Sequence, residues 1–194
     1  MGNLATPLKI QELQTALQAK AKENPGFRFY ALYDKVYRED VLHHAYQCCR
    51  ANQGAAGVDG VRFDDIEVSG VDQWLGELAQ CLKDRTYRTQ AVRRIYIPKP
   101  NGKMRPLSIP TIRDRVVQTA VVSILEPIFE ADLPPEQHAY RSNRNAHSAI
   151  RQVHGLLYEG HTEIAVARHS WCRRVRPPHR LRSDASPSAI MPLA

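Results

Sequence analysis

A mainly helical α+β chain carrying one β-hairpin is expected from three observations. Apolar residues recur at helical spacing in five stretches, near 4–22, 37–52, 71–82, 113–125 and 146–157. Two apolar-rich runs of strand length, 92–98 and 104–110, flank an Asn101-Gly102 tip. Asn-Gly is a strong hairpin signal because both residues tolerate positive φ. The breaks between stretches, at Asn24-Pro25-Gly26, in the 52–67 run with Gly54, Gly57 and Gly60, and at Pro134-Pro135, carry residues that end regular structure.

In chain order, Leu4, Leu8, Leu13, Leu17 and Ala21 make the first stretch an amphipathic helix, expected to be peripheral. Val41, Leu42, Ala45, Tyr46 and Cys49 define the second; His43 and His44 within it have no partner at ligand spacing and read as surface or core histidines. The 52–67 run reads as a tight irregular loop. It lacks the Gly-Lys-Ser/Thr ending of a phosphate loop, and Asp59, Asp64 and Asp65 miss the calcium-loop register. Val71, Trp74, Leu75, Leu78, Ala79 and Leu82 give the cleanest helical stripe, with Ser69 as its expected cap and Trp74 as a core residue. Tyr87, among Arg85, Arg88, Arg93 and Arg94, is the one aromatic interleaved with cations, a composition suited to base stacking. Beyond the hairpin, Arg113 and Arg115 open a helix marked by Val116, Val117, Ala120, Val121, Ile124 and Leu125, expected to break at Glu126-Pro127. A final stripe runs through Ala146, Ala149, Ile150, Val153, Leu156 and Leu157.

Bulk properties narrow the class. A chain of 194 residues with 43% hydrophobic content can bury one core, or two small ones. No apolar run reaches the roughly 18 residues of a membrane span, and the first residues lack a secretory pattern, so the expected compartment is cytoplasmic, with no membrane partner. Cys48, Cys49, Cys81 and Cys172 show neither zinc nor disulfide spacing and read as reduced thiols. The net charge of +7 is unevenly placed: residues 168–194 hold six Arg against one Asp. Residues 39–82 hold two Arg against eight acids, whereas residues 83–115 hold ten Lys or Arg against two acids. That switch describes one surface built for phosphate and another that is not.

The run IPKPNGKMRPLSIPTIRDRVVQ resembles the fingers hairpin of the reverse transcriptases encoded by bacterial group II introns. The Gly-Val-Asp-Gly element at 57–60 resembles the same family, where it lies near the template strand. Tyr140, Arg141, Arg144, Ala146 and His147 match in order its motif of an aromatic, Arg-Pro-Gly-Arg and Ala-His, with Ser142 and Asn143 in place of Pro and Gly. The resemblance covers residues 35–167 and implies the fingers and the start of the palm of a right-hand polymerase, behind a lead-in helix at 1–34. It further implies that Lys99 and Arg105 fold over the triphosphate of an incoming deoxynucleotide. Arg93, Arg94, Lys103, Arg113, Arg115, Arg141 and Arg144 are the residues expected on intron RNA and the template strand. The complete family protein is an RNA-directed DNA polymerase that uses Mg2+ held by carboxylates, because two metals activate the primer hydroxyl and stabilise the leaving pyrophosphate.

After a strand start at 163–167, where the family leads into its Asp-rich motif, the chain runs into a Pro- and Arg-rich tail whose one acid is Asp184. Arg168-His169-Ser170-Trp171 can be encoded CGA CAT TCG TGG, and dropping the first C reads Asp-Ile-Arg-Gly. The 168–194 segment is therefore expected to be an unstructured, out-of-frame tail. On this reading the fragment is catalytically inactive, with no catalytic residues of its own and no Mg2+ bound. A non-enzymatic RNA-binding module using the basic hairpin, a true basic tail for RNA and a functionless decayed gene product are the alternatives.

Overall fold

Ile112, Val116, Ala120, Ile124 and Ile128 recur every four residues and so form one ridge of a helix. In the computed structural model of the chain, which describes residues 4–139, 141 and 144–161, all five are at most 1% exposed. The elements run α1 (Leu8–Glu23), α2 (Tyr33–Val36), α3 (Glu39–Ala51), α4 (Phe63–Ser69), α5 (Val71–Lys83), β1 (Arg93–Pro98), β2 (Met104–Ile109), α6 (Ile112–Glu130) and α7 (Ala146–Tyr158). The described part is thus mostly helical with one two-stranded antiparallel hairpin, as the patterning leads one to expect.

The ridge belongs to α6, which starts where Thr111 Oγ1 accepts the Asp114 N–H at 3.2 Å. Helix α3 packs along it with Val41, Leu42, Ala45 and Cys49, and α1 with Ile10, Leu17 and Ala21. Helix α5 closes the other side of α3 through Leu75, Leu78 and Leu82, and α4 adds Phe63 and Ile66. Each fully buried aliphatic side chain contributes roughly 1.5–3 kcal/mol, so this one core stabilises the helical body.

Four local expectations are corrected. Helix α1 is not peripheral: its inward stripe is Ile10, Gln14, Leu17 and Ala21, and Leu8 is 76% exposed. The expected break at Glu126-Pro127 does not occur, and α6 continues through Pro127 to Glu130. Proline has no N–H for the carbonyl four residues back, and Gln14 Nε2 donates to that Ser123 carbonyl at 3.0 Å instead. The 52–67 run is a loop only to Arg62. Phe63–Ser69 then forms α4, whose entrance is held by Arg62 N donating to Asp65 Oδ2 at 2.8 Å. Ser69 does not cap α5; its hydroxyl bonds back to the Asp65 and Ile66 carbonyls within α4, and Gly70 at φ +98° makes the junction.

The hairpin tip also differs from a two-residue Asn-Gly turn. Pro100 occupies the first central position of the turn Lys99–Gly102, closed by Gly102 N donating to Lys99 O at 3.0 Å. Gly102 alone takes positive φ, +75°, while Asn101 accepts the Lys103 N–H on its side chain at 3.2 Å. Because the proline ring fixes φ negative, a three-residue loop with a left-handed glycine replaces the shorter one.

Candidate nucleic-acid interface

Register decides which hairpin cations act together. Side chains alternate along a strand and cross-strand partners share a face. The pairs Arg93↔Ile109, Ile95↔Leu107 and Ile97↔Arg105 therefore put Arg93 and Arg105 on one face. Lys99 N donates to Lys103 O at 2.8 Å, which carries the same face on to Lys99 and Lys103 at the loop. Arg94, paired with Ser108, lies on the opposite face beside Tyr96. All five cations are exposed, and among the described residues none of these side chains has a hydrogen-bonding or ionic partner.

The base of this arm is fixed at both ends. Asp114, 3% exposed, accepts the Tyr87 hydroxyl on one carboxylate oxygen and the Gln90 N–H on the other at 3.1 Å, tying the segment ahead of β1 to the first turn of α6. Burial, and then the Asp114 carboxylate, push the Tyr87 phenol well above its ordinary range, so it stays a donor. Behind β2, buried Gly57 lies against the Pro110–Thr111 backbone: a Cβ there would stand 2.6 Å from Thr111 Cα and 2.8 Å from its N. The Gly-rich loop is thus packed on the junction of hairpin and helix, with the cationic face projecting beyond.

The remaining expected site residues lie elsewhere. Arg115 donates to the Ala55 carbonyl at 2.6 Å and sits over the Phe63 ring, so its guanidinium holds the Gly-rich loop. Arg113 lies 5.8 Å from the Tyr87 ring centre. Arg141 pairs with Glu130 and donates to the Pro134 carbonyl at 2.8 Å, fastening the segment between α6 and α7. Half-buried Arg144 follows it in a turn, its N–H donating to the Arg141 carbonyl at 3.4 Å.

Two further cations were not singled out from sequence. Arg50, Arg62 and Arg93 line a pocket of about 520 Å³ with Gly54, Ala55 and Phe63, between the Gly-rich loop, α4 and the base of the hairpin. Arg50 is held there by Glu67 at 2.7 Å and Asp64 at 3.1 Å. Nothing in the spacing of 50, 62 and 93 announces this meeting; it arises because Gly57 lets the loop approach α6.

Histidines and thiols take structural places. His44 Nε2 lies 3.6 Å from Cys48 Sγ, and burial pushes the imidazole pKa down and the thiol pKa up, so both are neutral. Among the described residues no group of three or more His, Cys, Asp or Glu is placed to hold a metal ion. Among them, too, no helix is long and apolar enough to cross a membrane. The expected strand at 163–167 and the tail at 168–194 lie outside the described residues.

No family model matches the chain. Individual relatives do. The group II intron-encoded protein LtrA of Lactococcus lactis is 38% identical over 138 residues, 71% of this chain and 23% of its own length. The chain belongs to the group II intron-encoded reverse transcriptase and maturase family. The mitochondrial nuclear intron maturase 1 of Arabidopsis thaliana is 43% identical over 55 residues, 27% of this chain and 8% of its own. Protein YkfC of Escherichia coli is 36% identical over 168 residues, 84% of this chain and 42% of its own. The chain spans less than half the length of these relatives.

Proposed function

We propose that residues 35–167 are the fingers and the start of the palm of a reverse transcriptase, behind a lead-in at 1–34, and that the hairpin face holds nucleic-acid phosphate. The observation that carries the reading is the cluster of Lys99, Lys103 and Arg105 at the tip of one hairpin face, with Arg93 at its base beyond Ile95, Ile97 and Leu107, all four cations without partners among the described residues. Such a face is relieved by a polyanion, which releases its condensed counterions on binding. Membership in a family of intron-encoded proteins supports intron RNA as that polyanion. On this reading Lys99 and Arg105, one strand step apart on this face at the tip, take the triphosphate, while Arg93 and the pocket beside the Gly-rich loop take the template strand.

Ultraviolet cross-linking of the purified chain to a group II intron RNA, with peptide mapping, tests the reading. The expected cross-links fall within 93–105 and 53–62. Cross-links confined to α1, or to the acidic surface of α4 and α5, would overturn it.

A further inference from the structure

A second pocket lies away from the hairpin face. Val36, Leu82, Val117 and Val121 give it an apolar floor, Tyr33 and Tyr87 form aromatic walls, and its volume is about 410 Å³. Both tyrosines are held from behind: Tyr33 donates its hydroxyl to the Leu82 carbonyl at 2.7 Å and Tyr87 to Asp114. Their rings are thus walls fixed before any ligand arrives. At the mouth stand the exposed side chains of Arg85 and Arg88, and among the described residues no carboxylate lines the pocket. Arg85 follows the last turn of α5 at φ +58°, where the chain reverses toward the hairpin.

We infer that this pocket takes an unpaired base of bound RNA, with its flanking phosphates on Arg85 and Arg88. The inference rests on the RNA-binding reading above. An apolar floor between aromatic walls accepts the faces of a base without regard to sequence, and a cationic rim without an acid accepts its phosphates and rejects an acidic neighbour. The volume exceeds a single base and falls in the range of ligand-binding clefts. Charge decides between RNA and a protein segment: the charged side chains that line the pocket are Arg85 and Arg88, and neighbouring Asp84 is held by Gln80 at 2.8 Å.

The test compares a short single-stranded oligouridylate with a strand of the same length and charge made of abasic residues, each titrated with the purified chain. Unmodified protein is expected to bind the base-bearing strand roughly tenfold more tightly, the scale of one base stacked on aromatic walls. Val121→Phe fills the floor and is expected to reduce that preference below about twofold while leaving the abasic strand's affinity unchanged. Arg85→Ala with Arg88→Ala, at two exposed side chains, is expected to make the salt slope for both strands shallower by roughly 1.4. If both strands bind alike, or Val121→Phe keeps the tenfold preference, the pocket assignment is wrong and the hairpin reading stands. If neither strand binds, the hairpin reading fails with it. Absence of RNA binding together with a Leu/Glu-rich peptide captured in a Val121→Phe-sensitive way would make the pocket a protein site and overturn the inference.

Discussion

Gln14 Nε2 donates to the Ser123 carbonyl at 3.0 Å, the one carbonyl of α6 that Pro127 leaves without its helical donor. A side chain of the first helix thereby lets a proline sit inside the central one. Gln14→Ala is expected to destabilise the fold by about 1 kcal/mol in urea unfolding, the usual net value of such a bond. Pro127→Ala restores an N–H to Ser123, so in that background Gln14→Ala is expected to cost little. Additive losses in the double-mutant cycle would show that the two residues are not coupled.

Tyr87→Phe removes the hydroxyl that satisfies Asp114, a carboxylate only 3% exposed. The expected loss is about 2 kcal/mol, because hydrogen bonds to charged groups are the stronger ones. Hydrogen exchange at Gln90, whose N–H shares that carboxylate, should quicken in the same variant. Unchanged stability would mean that water reaches the carboxylate instead.

Gly57→Ala would drive a Cβ to within 2.8 Å of the Thr111 backbone, where no flexible side chain can yield. A loss of roughly 1–3 kcal/mol is expected, the range for overpacking a fitted site. Gly60→Ala, with open space around it but φ +74°, tests backbone strain alone and is expected to cost less.

Burial lowers the pKa of His44 below its ordinary value of 6.5, so the unfolded chain binds a proton more readily than the fold does. Stability contributed by this group is therefore present above about pH 6.5 and falls as pH drops through the unfolded value toward the folded one. Urea midpoints should decline between about pH 7.5 and 5, and His44→Gln should flatten that decline. An unchanged slope in the variant would locate the titration in another residue.

How much was legible in advance follows from what each signal encodes. The core faces of α3 and α5 were readable because Val41, Leu42, Ala45, Leu75, Leu78 and Leu82 are buried at the spacing that defines a helix stripe. The register of α1 was not: Leu4 and Leu8, both exposed, pulled the apparent stripe off Ile10, and only packing on α6 decides between them. Pro127 misled because its compensation, Gln14, lies more than a hundred residues away in sequence. At the tip, Asn101-Gly102 signalled a hairpin correctly, but Pro100 set the loop length. The cation set of the interface was visible as composition, whereas which charges are free was not. Arg105 and Arg115 look equivalent in sequence, yet one stands on the arm without a partner among the described residues and the other holds the Ala55 carbonyl.

The salt dependence of RNA binding tests most directly the claim that the hairpin face is a phosphate-binding arm. Affinity of the purified chain for a single-stranded RNA is measured across a salt series, beside the Lys99→Ala, Lys103→Ala, Arg105→Ala triple variant. These side chains touch nothing in the core, so folding should be retained. The expected result is a log–log slope shallower by roughly 2 in the variant, at about 0.7 for each phosphate that is no longer neutralised. A slope and affinity equal to those of the unmodified chain would contradict the claim and move the binding surface off the hairpin.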